Sequence, residues 1–299
     1  MMRVAAVVVT YNRADMLEKT LAGLEAQSRP VDRIIVVDNA STDRTPEMLA
    51  ARKAAVPTTI TRLKRNTGGA GGFAHGIQAA YGAGYDAYWI MDDDTVPRPD
   101  ALKALLGGID QFEERTGDQP SFACSMVLWT DGELCEMNTP DPTWDWPRHM
   151  AHNEPYQLVK SCSFVSCLIT KDAVRECGLP YREYFIWYDD AEYTMRLSKF
   201  RPGIFVADSK VDHLLGENRG VNFGDVTDKN IWKFEYGVRN QVSAAFSLRS
   251  PTIAVQLAEN MLKQLHGSGV SAKLRLRLIK AGLKGLVFHP KKRYARVVR

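Results

Sequence analysis

The sequence predicts an α/β protein with a mostly parallel central sheet that is covered by helices on both faces. Over the first 130 residues, continuously apolar runs alternate with segments of helical spacing. Strands that are apolar throughout are typical of parallel sheets buried on both faces. Each predicted strand also ends in polar, turn-forming residues. Ligands of such sheets bind beyond the carboxyl ends of the strands, so this edge is the expected site.

The predicted elements of the first 100 residues alternate regularly. β-Branched apolar runs predict strands at residues 3–10, 33–38, 58–63 and 87–91. Apolar residues at helical spacing predict the intervening helices at residues 14–27, 42–55 and 70–83. This order of strand and helix is the signature of a parallel sheet built from crossover connections.

The rest of the chain is less regular. Its pattern predicts strands at residues 121–128, 163–170 and 203–207 and a helix at 189–199. Residues 138–156 are predicted as a long Pro- and Trp-rich loop, and residues 216–228 as a flexible loop or lid. From about residue 229 onward the pattern is helical. A long loop inside a domain is usually functional, so Trp144, Trp146 and His149 are candidate contacts for a substrate.

Composition excludes several classes of protein. The 299 residues, 45% hydrophobic and 25% charged, indicate a soluble globular protein with ample chain for a core. No stretch reaches the roughly 18 uncharged apolar residues that a membrane span needs, and the N-terminus enters a strand pattern rather than a signal peptide. The five cysteines form no Cys-x-x-Cys pair. They argue against a disulfide framework or structural zinc and favour a reducing cytoplasm.

Charge is distributed unevenly along the chain. From Lys263 to the C-terminus there are eleven Lys or Arg residues and no acid, whereas residues 1–262 hold 28 basic and 35 acidic side chains. A helical apolar stripe in this basic region is flanked by Lys273, Arg277, Lys280 and Lys284; it consists of Leu276, Ile279, Leu283 and Leu286. This pattern is typical of a helix that lies on an anionic membrane surface. A helix packed on the rest of the protein is the alternative. Nucleic-acid binding is disfavoured, because no known nucleic-acid-binding motif accompanies the basic residues.

The most informative motif is Asp92-Asp93-Asp94, which ends an apolar strand. Three adjacent carboxylates repel one another, and a hard cation such as Mg²⁺ or Mn²⁺ would neutralise them. If the backbone stays extended, Asp92 and Asp94 point to one face and Asp93 to the other. An acidic turn in solvent is the alternative interpretation.

Two further motifs follow predicted strands. Asp38 ends the second strand and could accept a hydrogen bond from a nucleotide base or ribose, or cap the next helix. Asn66-Thr67-Gly68-Gly69 opens the third helix, where glycines let backbone N–H groups approach a phosphate, although a plain turn explains them too. The loop lacks the Gly-Lys-Ser/Thr end of a phosphate-binding loop.

A second acidic pair, Asp189-Asp190, follows aromatic residues at a helix start. Acids there favour the helix dipole, which is a purely structural role. Neighbouring aromatics would instead raise the pKa of a carboxylate by desolvation, which suits a general base. His213 follows a strand and is either a packed residue or a metal ligand.

Together these segments resemble the family 2 inverting glycosyltransferases, which have the GT-A fold, a Rossmann-like mostly parallel sheet. The resemblance spans roughly residues 3–240 and is closest to bacterial galactofuranosyltransferases and rhamnosyltransferases. The motifs that carry it are Thr10-Tyr11-Asn12-Arg13, Val37–Asp43, Gly68–Phe73, Asp92–Asp94, Trp187–Glu192 and Arg239-Asn240.

The resemblance implies a role for each motif. It places the nucleotide sugar against Thr10, Asn12, Arg13, Asp38, Asn66, Gly68, Gly69, Asp92 and Asp93. It assigns a Mn²⁺ or Mg²⁺ ion to Asp92, Asp94 and His213. Asp190 is the expected catalytic base, and Asp189 and Trp187 are expected to contact the acceptor.

The resemblance also implies an organisation. Residues 1–228 would form the GT-A catalytic domain, with nucleotide binding in about 1–130 and acceptor binding in about 131–228. Residues 229–299 would follow as a basic helical segment, whose own charge pattern fits association with a membrane or packing on the catalytic domain. The expected partners are a UDP- or dTDP-linked sugar and a lipid-linked glycan, without nucleic acid, at the inner face of the cell membrane. The sequence leaves open whether the protein forms a homo-oligomer.

Two rival functions remain. A nucleotidyltransferase also uses a parallel sheet and acidic metal ligands, but would usually place a Gly-rich, basic loop after the first strand, where this chain has Thr-Tyr-Asn-Arg. A catalytically inactive sugar-nucleotide-binding subunit is the non-enzyme alternative. Intact acids at both clusters argue against it.

Overall fold

The computed structural model describes residues 2–152 and 154–297, and its main feature is the predicted sheet. The first half of the sheet is parallel: β1 (Val4–Thr10) lies between β2 (Arg33–Asp38) and β4 (Ala87–Asp92), and β3 (Thr58–Arg62) lies outside β2. All four strands therefore end at the same edge.

The second half of the sheet is mixed. β9 (Cys167–Thr170) runs antiparallel between β4 and β6 (Phe122–Leu128). β10 (Gly203–His213) is parallel to β6. Three short strands pair antiparallel at this end, namely β5 (Thr95–Pro97), β7 (Asp141–Pro142) and β8 (Gln157–Ser161).

Helices cover both faces of the sheet and form the C-terminal segment. Their bounds are α1 (Ala14–Glu25), α2 (Thr45–Ala51), α3 (Gly68–Gly82), α4 (Ala101–Thr116), α5 (Trp146–Ala151), α6 (Lys171–Cys177), α7 (Asp189–Ser198), α8 (Ile231–Ser247), α9 (Pro251–Leu265) and α10 (Ala272–Val287). Short 3-10 helices occur at Glu136–Asn138, Arg182–Tyr184 and Phe223–Asp225.

The alternation of side chains in β1 produces two cores. Val4, Ala6 and Val8 pack with α1 and α4 on one face, whereas Ala5, Val7 and Val9 pack with α3 and α7 on the other. Because successive strand residues point to opposite faces, a strand apolar at every position requires cover on both sides. The predicted fold class is confirmed.

Several elements in the middle of the chain differ from prediction. α4, α6 and β8 were not predicted, although Leu102, Leu105 and Ile109 of α4 have helical spacing and are fully buried. The predicted loop at 138–156 contains β7 and α5. The strand predicted at 203–207 continues to His213 through an irregularity between Val206 and Lys210.

The C-terminal segment packs on the sheet domain and on itself. α8, α9 and α10 share a buried apolar cluster that includes Phe234, Leu257 and Leu278. The predicted helix does not continue to the end of the chain: residues 288–297 are not helical and return to the sheet domain. There Leu179 donates its N–H to the carbonyl of Arg293 at 2.8 Å. Within the ranges that the structure describes, the helices are all too short or too polar to span a bilayer.

Candidate active site

The carboxyl ends of β1 and β2 are tied together by side chains predicted to bind nucleotide. Asn12, at φ 56°, accepts hydrogen bonds from the N–H groups of Thr42 at 2.7 Å and Asp43 at 3.3 Å. Asp38 is buried and accepts from the Ser41 N–H at 2.8 Å. Its second carboxylate oxygen lies 3.4 Å from Nε of Arg62, a residue that sequence reasoning missed.

The Gly-rich loop joins this edge to the segment that precedes α7. Gly68 has φ +73°, and a Cβ there would lie 2.0 Å from the carbonyl oxygen of Phe185. Asn66 accepts from the Gly68 N–H at 2.8 Å. Asn39, which was not predicted, donates to the Gly68 carbonyl at 2.9 Å. A Cβ at Gly69 would meet only a ring carbon of Phe73 at 4.0 Å, so its backbone stays open to a ligand.

The three acids at the end of β4 do not follow the predicted alternation of faces. The chain turns at Asp93 and Asp94, so Asp93 and Asp94 both face Arg13, which is ion-paired with Asp94 and lies 3.7 Å from Asp93. Thr10 donates its hydroxyl to Asp93 at 2.7 Å. Thr10 and Asp93 therefore hold each other in place at the strand ends.

Asp94 and His213 meet as predicted. Nε2 of His213 lies 3.2 Å from Oδ1 of Asp94, and both side chains are buried. Nδ1 of His213 lies 2.8 Å from Oδ1 of Asn138, whose amide nitrogen donates to Ser163 at 2.9 Å. That arrangement assigns the Nδ1 proton to the bond with Asn138. Nε2 of His213 therefore faces the Asp94 carboxylate, an arrangement that suits a proton or a cation shared between the two groups.

Asp92 is the remaining predicted metal ligand. In the two stretches described, 2–152 and 154–297, no three carboxylate, imidazole or thiol groups are gathered as a metal-binding cluster. Asp94 and His213 supply two adjacent donors, whereas Asp92, two residues before Asp94, does not form a three-residue cluster with them. The structure thus brings together two of the three predicted ligands.

Burial and charge set the pKa values of these acids apart. Burial, and then the charges of Asp94 and Asp93, raise the pKa of Asp92 well above its ordinary value. Burial raises the pKa of Asp93 to about 6. Burial acts the same way on Asp94, but the hydrogen bond and charge of His213, with the charge of Arg13, lower its pKa. Asp94 is therefore the group that stays ionised.

The second acidic pair lies at the start of α7. The charges of Asp189 and Asp190 add to the burial and to the charges of Asp94 and Asp93 that raise the pKa of Asp92. Asp189 is buried, and burial followed by the charge of Asp190 raises its pKa. Burial raises the pKa of Asp190, whose carboxylate accepts from the Ala191 N–H at 2.7 Å. A carboxylate with a raised pKa is a stronger base than an exposed one.

The predicted acceptor contacts lie in two places. Trp187 lies two residues before Asp189 and packs edge-on against Phe234, with ring centroids 4.9 Å apart. Trp144 is 83% exposed and Trp146 is 42% exposed. His149 is paired with Glu154, which also binds Arg115 of α4 at 2.6 Å. His149, on α5, therefore belongs to a separate cluster with Glu154 and with Arg115 of α4.

Comparison with known proteins extends the sequence resemblance. The family model described as Glycosyl transferase family 2 matches residues 5–176, more than half of the chain. A galactofuranosyltransferase of Mycolicibacterium smegmatis is 42% identical over 103 residues, which are 34% of this chain and 33% of that protein. One of Mycobacterium tuberculosis is 45% identical over 91 residues, 30% of each. The matched segments thus span about a third of these relatives.

Solved structures share the fold. GalNAc-T7, crystallised with UDP, GalNAc and Mn²⁺, superposes with a TM-score of 0.60 at 14% identity, over 82% of this chain and 47% of that chain. S. aureus TarS 1–349 superposes with a TM-score of 0.57 at 16% identity, over 94% of this chain and 79% of that chain. Both likenesses indicate the GT-A architecture. The family model covers more than half of the chain, and the sheet and the acids at its strand ends agree with it. The chain therefore belongs to glycosyl transferase family 2.

Proposed function

We propose that the protein transfers galactofuranose or rhamnose, with inversion, from a UDP- or dTDP-linked donor to a hydroxyl of a lipid-linked glycan. The observation that carries this proposal is the pair of acidic clusters, Asp92–Asp94 at the end of β4 and Asp189–Asp190 at the start of α7. The first follows a strand of the parallel half, where nucleotides bind in such sheets. The names of the mycobacterial relatives favour galactofuranose as the sugar.

The donor half would hold the nucleoside diphosphate. Asp38 lies buried at the β2 end with one carboxylate edge held by Ser41, so its position for a base or ribose contact is fixed. Arg13 is half exposed and carries positive charge beside the acids, where it can neutralise a diphosphate. The α3 N-terminus adds the backbone N–H of Gly69, whereas that of Gly68 is donated to Asn66.

A divalent cation, Mn²⁺ or Mg²⁺, fits this donor set. Asp94 is an ionised carboxylate, and His213 has its Nδ1 proton held by Asn138, which leaves Nε2 as a ligand. Asp92 would complete the set. When bound, such an ion stabilises negative charge on the departing nucleoside diphosphate. The hydrogen bond from His213 to Asn138 is the kind of support that orients metal-binding imidazoles.

Asp190 is the proposed general base. An inverting transfer needs one group that takes the acceptor hydroxyl proton while that oxygen attacks the anomeric carbon. Burial keeps the pKa of Asp190 above that of an exposed carboxyl, and Asp189 lies beside it to accept a second acceptor hydroxyl. Trp187 would offer an aromatic face to the acceptor, with Trp144 and Trp146 as outer contacts.

The C-terminal segment is the proposed membrane contact. Leu276, Ile279 and Leu283 of α10 are 50%, 55% and 60% exposed, while the opposite face of the helix is buried against α8. Lys273, Lys280 and Lys284 border this stripe and are exposed. An exposed apolar stripe between cations fits an anionic bilayer, where a lipid-linked acceptor would reside.

Donor turnover on two variants tests the proposed function. We expect UDP- or dTDP-linked sugar to be hydrolysed or transferred in the presence of Mn²⁺ by the wild type. Asp94→Ala should lose metal-dependent donor binding, and Asp190→Asn should bind donor normally but lose about 10²–10⁴-fold in turnover. Asp110→Asn, an exposed acid on α4, is the matched control and should be unaffected.

The outcomes separate the rival functions. Loss of donor binding in Asp94→Ala with intact folding supports the cation site. Full activity of Asp190→Asn in complementation would indicate a sugar-nucleotide-binding subunit. Release of diphosphate from a nucleoside triphosphate, with no sugar transfer, would indicate a nucleotidyltransferase.

A further inference from the structure

The loop that leads into the acidic pair Asp189–Asp190 has an unusual backbone. Phe185, Trp187 and Tyr188 have φ values of 65°, 65° and 66°. Left-handed backbone at residues other than glycine is unfavourable by roughly 1–2 kcal/mol per residue. Such strain persists only where the surrounding structure holds it. Three strained residues directly before the acids therefore require something that holds them.

Asn240 of α8 supplies that support. Its side-chain nitrogen donates to the carbonyl oxygens of Tyr184 at 2.9 Å, Ile186 at 3.1 Å and Trp187 at 2.8 Å. Asn240 is completely buried. The two N–H groups of one amide thus serve three carbonyl oxygens of the strained loop, of which that of Tyr184 also accepts from the Ile186 N–H at 2.8 Å.

Arg239 fixes the orientation of that amide. Its Nε and one terminal nitrogen donate to Oδ1 of Asn240 at 3.1 and 2.7 Å, and the same terminal nitrogen reaches the carbonyl of Glu183 at 2.8 Å. Since the guanidinium can only donate, Oδ1 must face it and the Asn240 N–H groups must face the loop. The Arg239 guanidinium in turn lies 3.9 Å from the ring centroid of Phe288.

The turn of α8 before Asn240 contacts the side chain of Trp187, which belongs to the same loop. A Cβ at Gly237 would lie 3.0 Å from Cε3 of Trp187. The indole therefore lies close against the helix surface one turn before Asn240. α8 holds both the backbone and the side chain of Trp187, two residues before Asp189.

We infer that Asn240, oriented by Arg239, is the positioning residue that fixes the carboxylate of Asp190 in the geometry needed for proton abstraction. The inference rests on the proposed role of Asp190 as the base. Asn240 does not face the cleft; it acts through the backbone of residues 184–188. The C-terminal segment thereby completes the active site of the sheet domain.

Kinetics of Asn240 variants test this role. With UDP-galactofuranose and Mn²⁺, and UDP release as the readout, Asn240→Ala should lower kcat by about 10–100-fold, because small misplacements of a catalytic group have effects of this size. KM for the donor and the binding of UDP should stay within about twofold, since the donor contacts lie on β1–β4. Asn240→Asp keeps the side-chain volume but removes both N–H donors, so its kcat should fall by the same factor. Near-wild-type kcat in Asn240→Asp would overturn the inference.

Hydrogen exchange of the loop provides a readout that does not depend on activity. Peptides covering residues 184–190 should exchange faster in Asn240→Ala than in wild type. Phe246→Ala is the control, because it removes a 52% exposed side chain of the same helix whose ring packs against His289. Equal loop exchange in wild type and Asn240→Ala, or an equal kcat loss in Phe246→Ala, would overturn the inference.

Two further cases are covered by additional measurements. If Asn240 variants do not fold, Arg239→Lys retains the charge but cannot donate two bonds to Oδ1, and should give a smaller loss of kcat and faster loop exchange; no change would overturn the inference. If the wild type turns over none of the donors, the proposed function fails, and loop exchange alone decides whether Asn240 fixes the loop.

Discussion

Neighbouring acids in this protein differ because each has different partners. Asp94 lies between Arg13 and His213 and stays ionised, whereas Asp92 and Asp93 are held by burial toward the protonated form. Residue type alone would give all three the same pKa. The partners come from β1 and β10, which the chain brings to β4 only in the folded state. Charge at the site is therefore a property of the assembled sheet edge.

The pH dependence of turnover follows from the environment of Asp190. Its burial raises the pKa, and a base acts in its deprotonated form. Activity should therefore be present above the raised pKa and be lost as the pH falls through it. We expect the acid limb of kcat/KM to lie above the ordinary carboxyl value of about 4. Initial rates from pH 4 to 8 measure it; an acid limb at or below pH 4 would count against burial of the base.

At the scale of elements, the contact between the start of α3 and the loop before α7 depends on one glycine. Gly68→Ala would place a Cβ 2.0 Å from the Phe185 carbonyl oxygen at φ +73°. Gly84→Ala is a matched control, because Gly84 has φ +81° but no atom within 4 Å of its Cβ position. We expect Gly84→Ala to lower the free energy of unfolding by about 1 kcal/mol and Gly68→Ala by about 3 kcal/mol or more.

Chemical denaturation of both glycine variants measures these losses. Turnover of Gly68→Ala should also fall, because the clash displaces the loop that leads to Asp189. Equal stability losses in the two variants would mean that backbone conformation, and not the contact with Phe185, decides the choice of glycine at position 68.

The elements show where sequence reasoning succeeds. Apolar strands and their polar ends are local patterns, so β1, β2 and β4 and the acids that follow them could be predicted. The partners of those acids could not. Asn138 and Arg62 are ordinary polar residues in sequence, and only the sheet topology brings them to His213 and Asp38. Residues 138–156 were predicted as one long loop because β7, with two residues, and α5, with six, are too short to show a periodic pattern.

At the scale of the whole molecule, the C-terminal segment has two faces. One face of α8 supports the loop before the acids, and the outer face of α10 exposes apolar side chains between lysines. Residues 288–297 then return to the sheet domain, where Gln78 and Arg296 exchange two hydrogen bonds at 2.8 and 3.1 Å. Long-range contacts of this kind leave no periodic signal, which is why the tail was predicted as helix.

Binding to anionic vesicles tests the outer face of α10. Ile279→Ser with Leu283→Ser removes two side chains that are 55% and 60% exposed. Burial of such side chains in a bilayer is worth about 1 kcal/mol or more each, so the affinity should fall about tenfold or more. Sedimentation with phosphatidylglycerol vesicles measures it. Ile60→Ser, at an exposed position on β3, is the control, and unchanged binding of the α10 variant would contradict the proposed contact.

The antiparallel strand β9 has a consequence for biosynthesis. β4 carries the first acidic cluster, and its Tyr88, Trp89 and Ile90 are fully buried in the finished sheet. One edge of β4 pairs with β9, whose residues 167–170 leave the ribosome about 80 residues later. Until then a nascent chain presents an unpaired, apolar strand edge, which favours association with other chains. The parallel half of the sheet therefore keeps one edge of β4 unpaired until β9 has been synthesised.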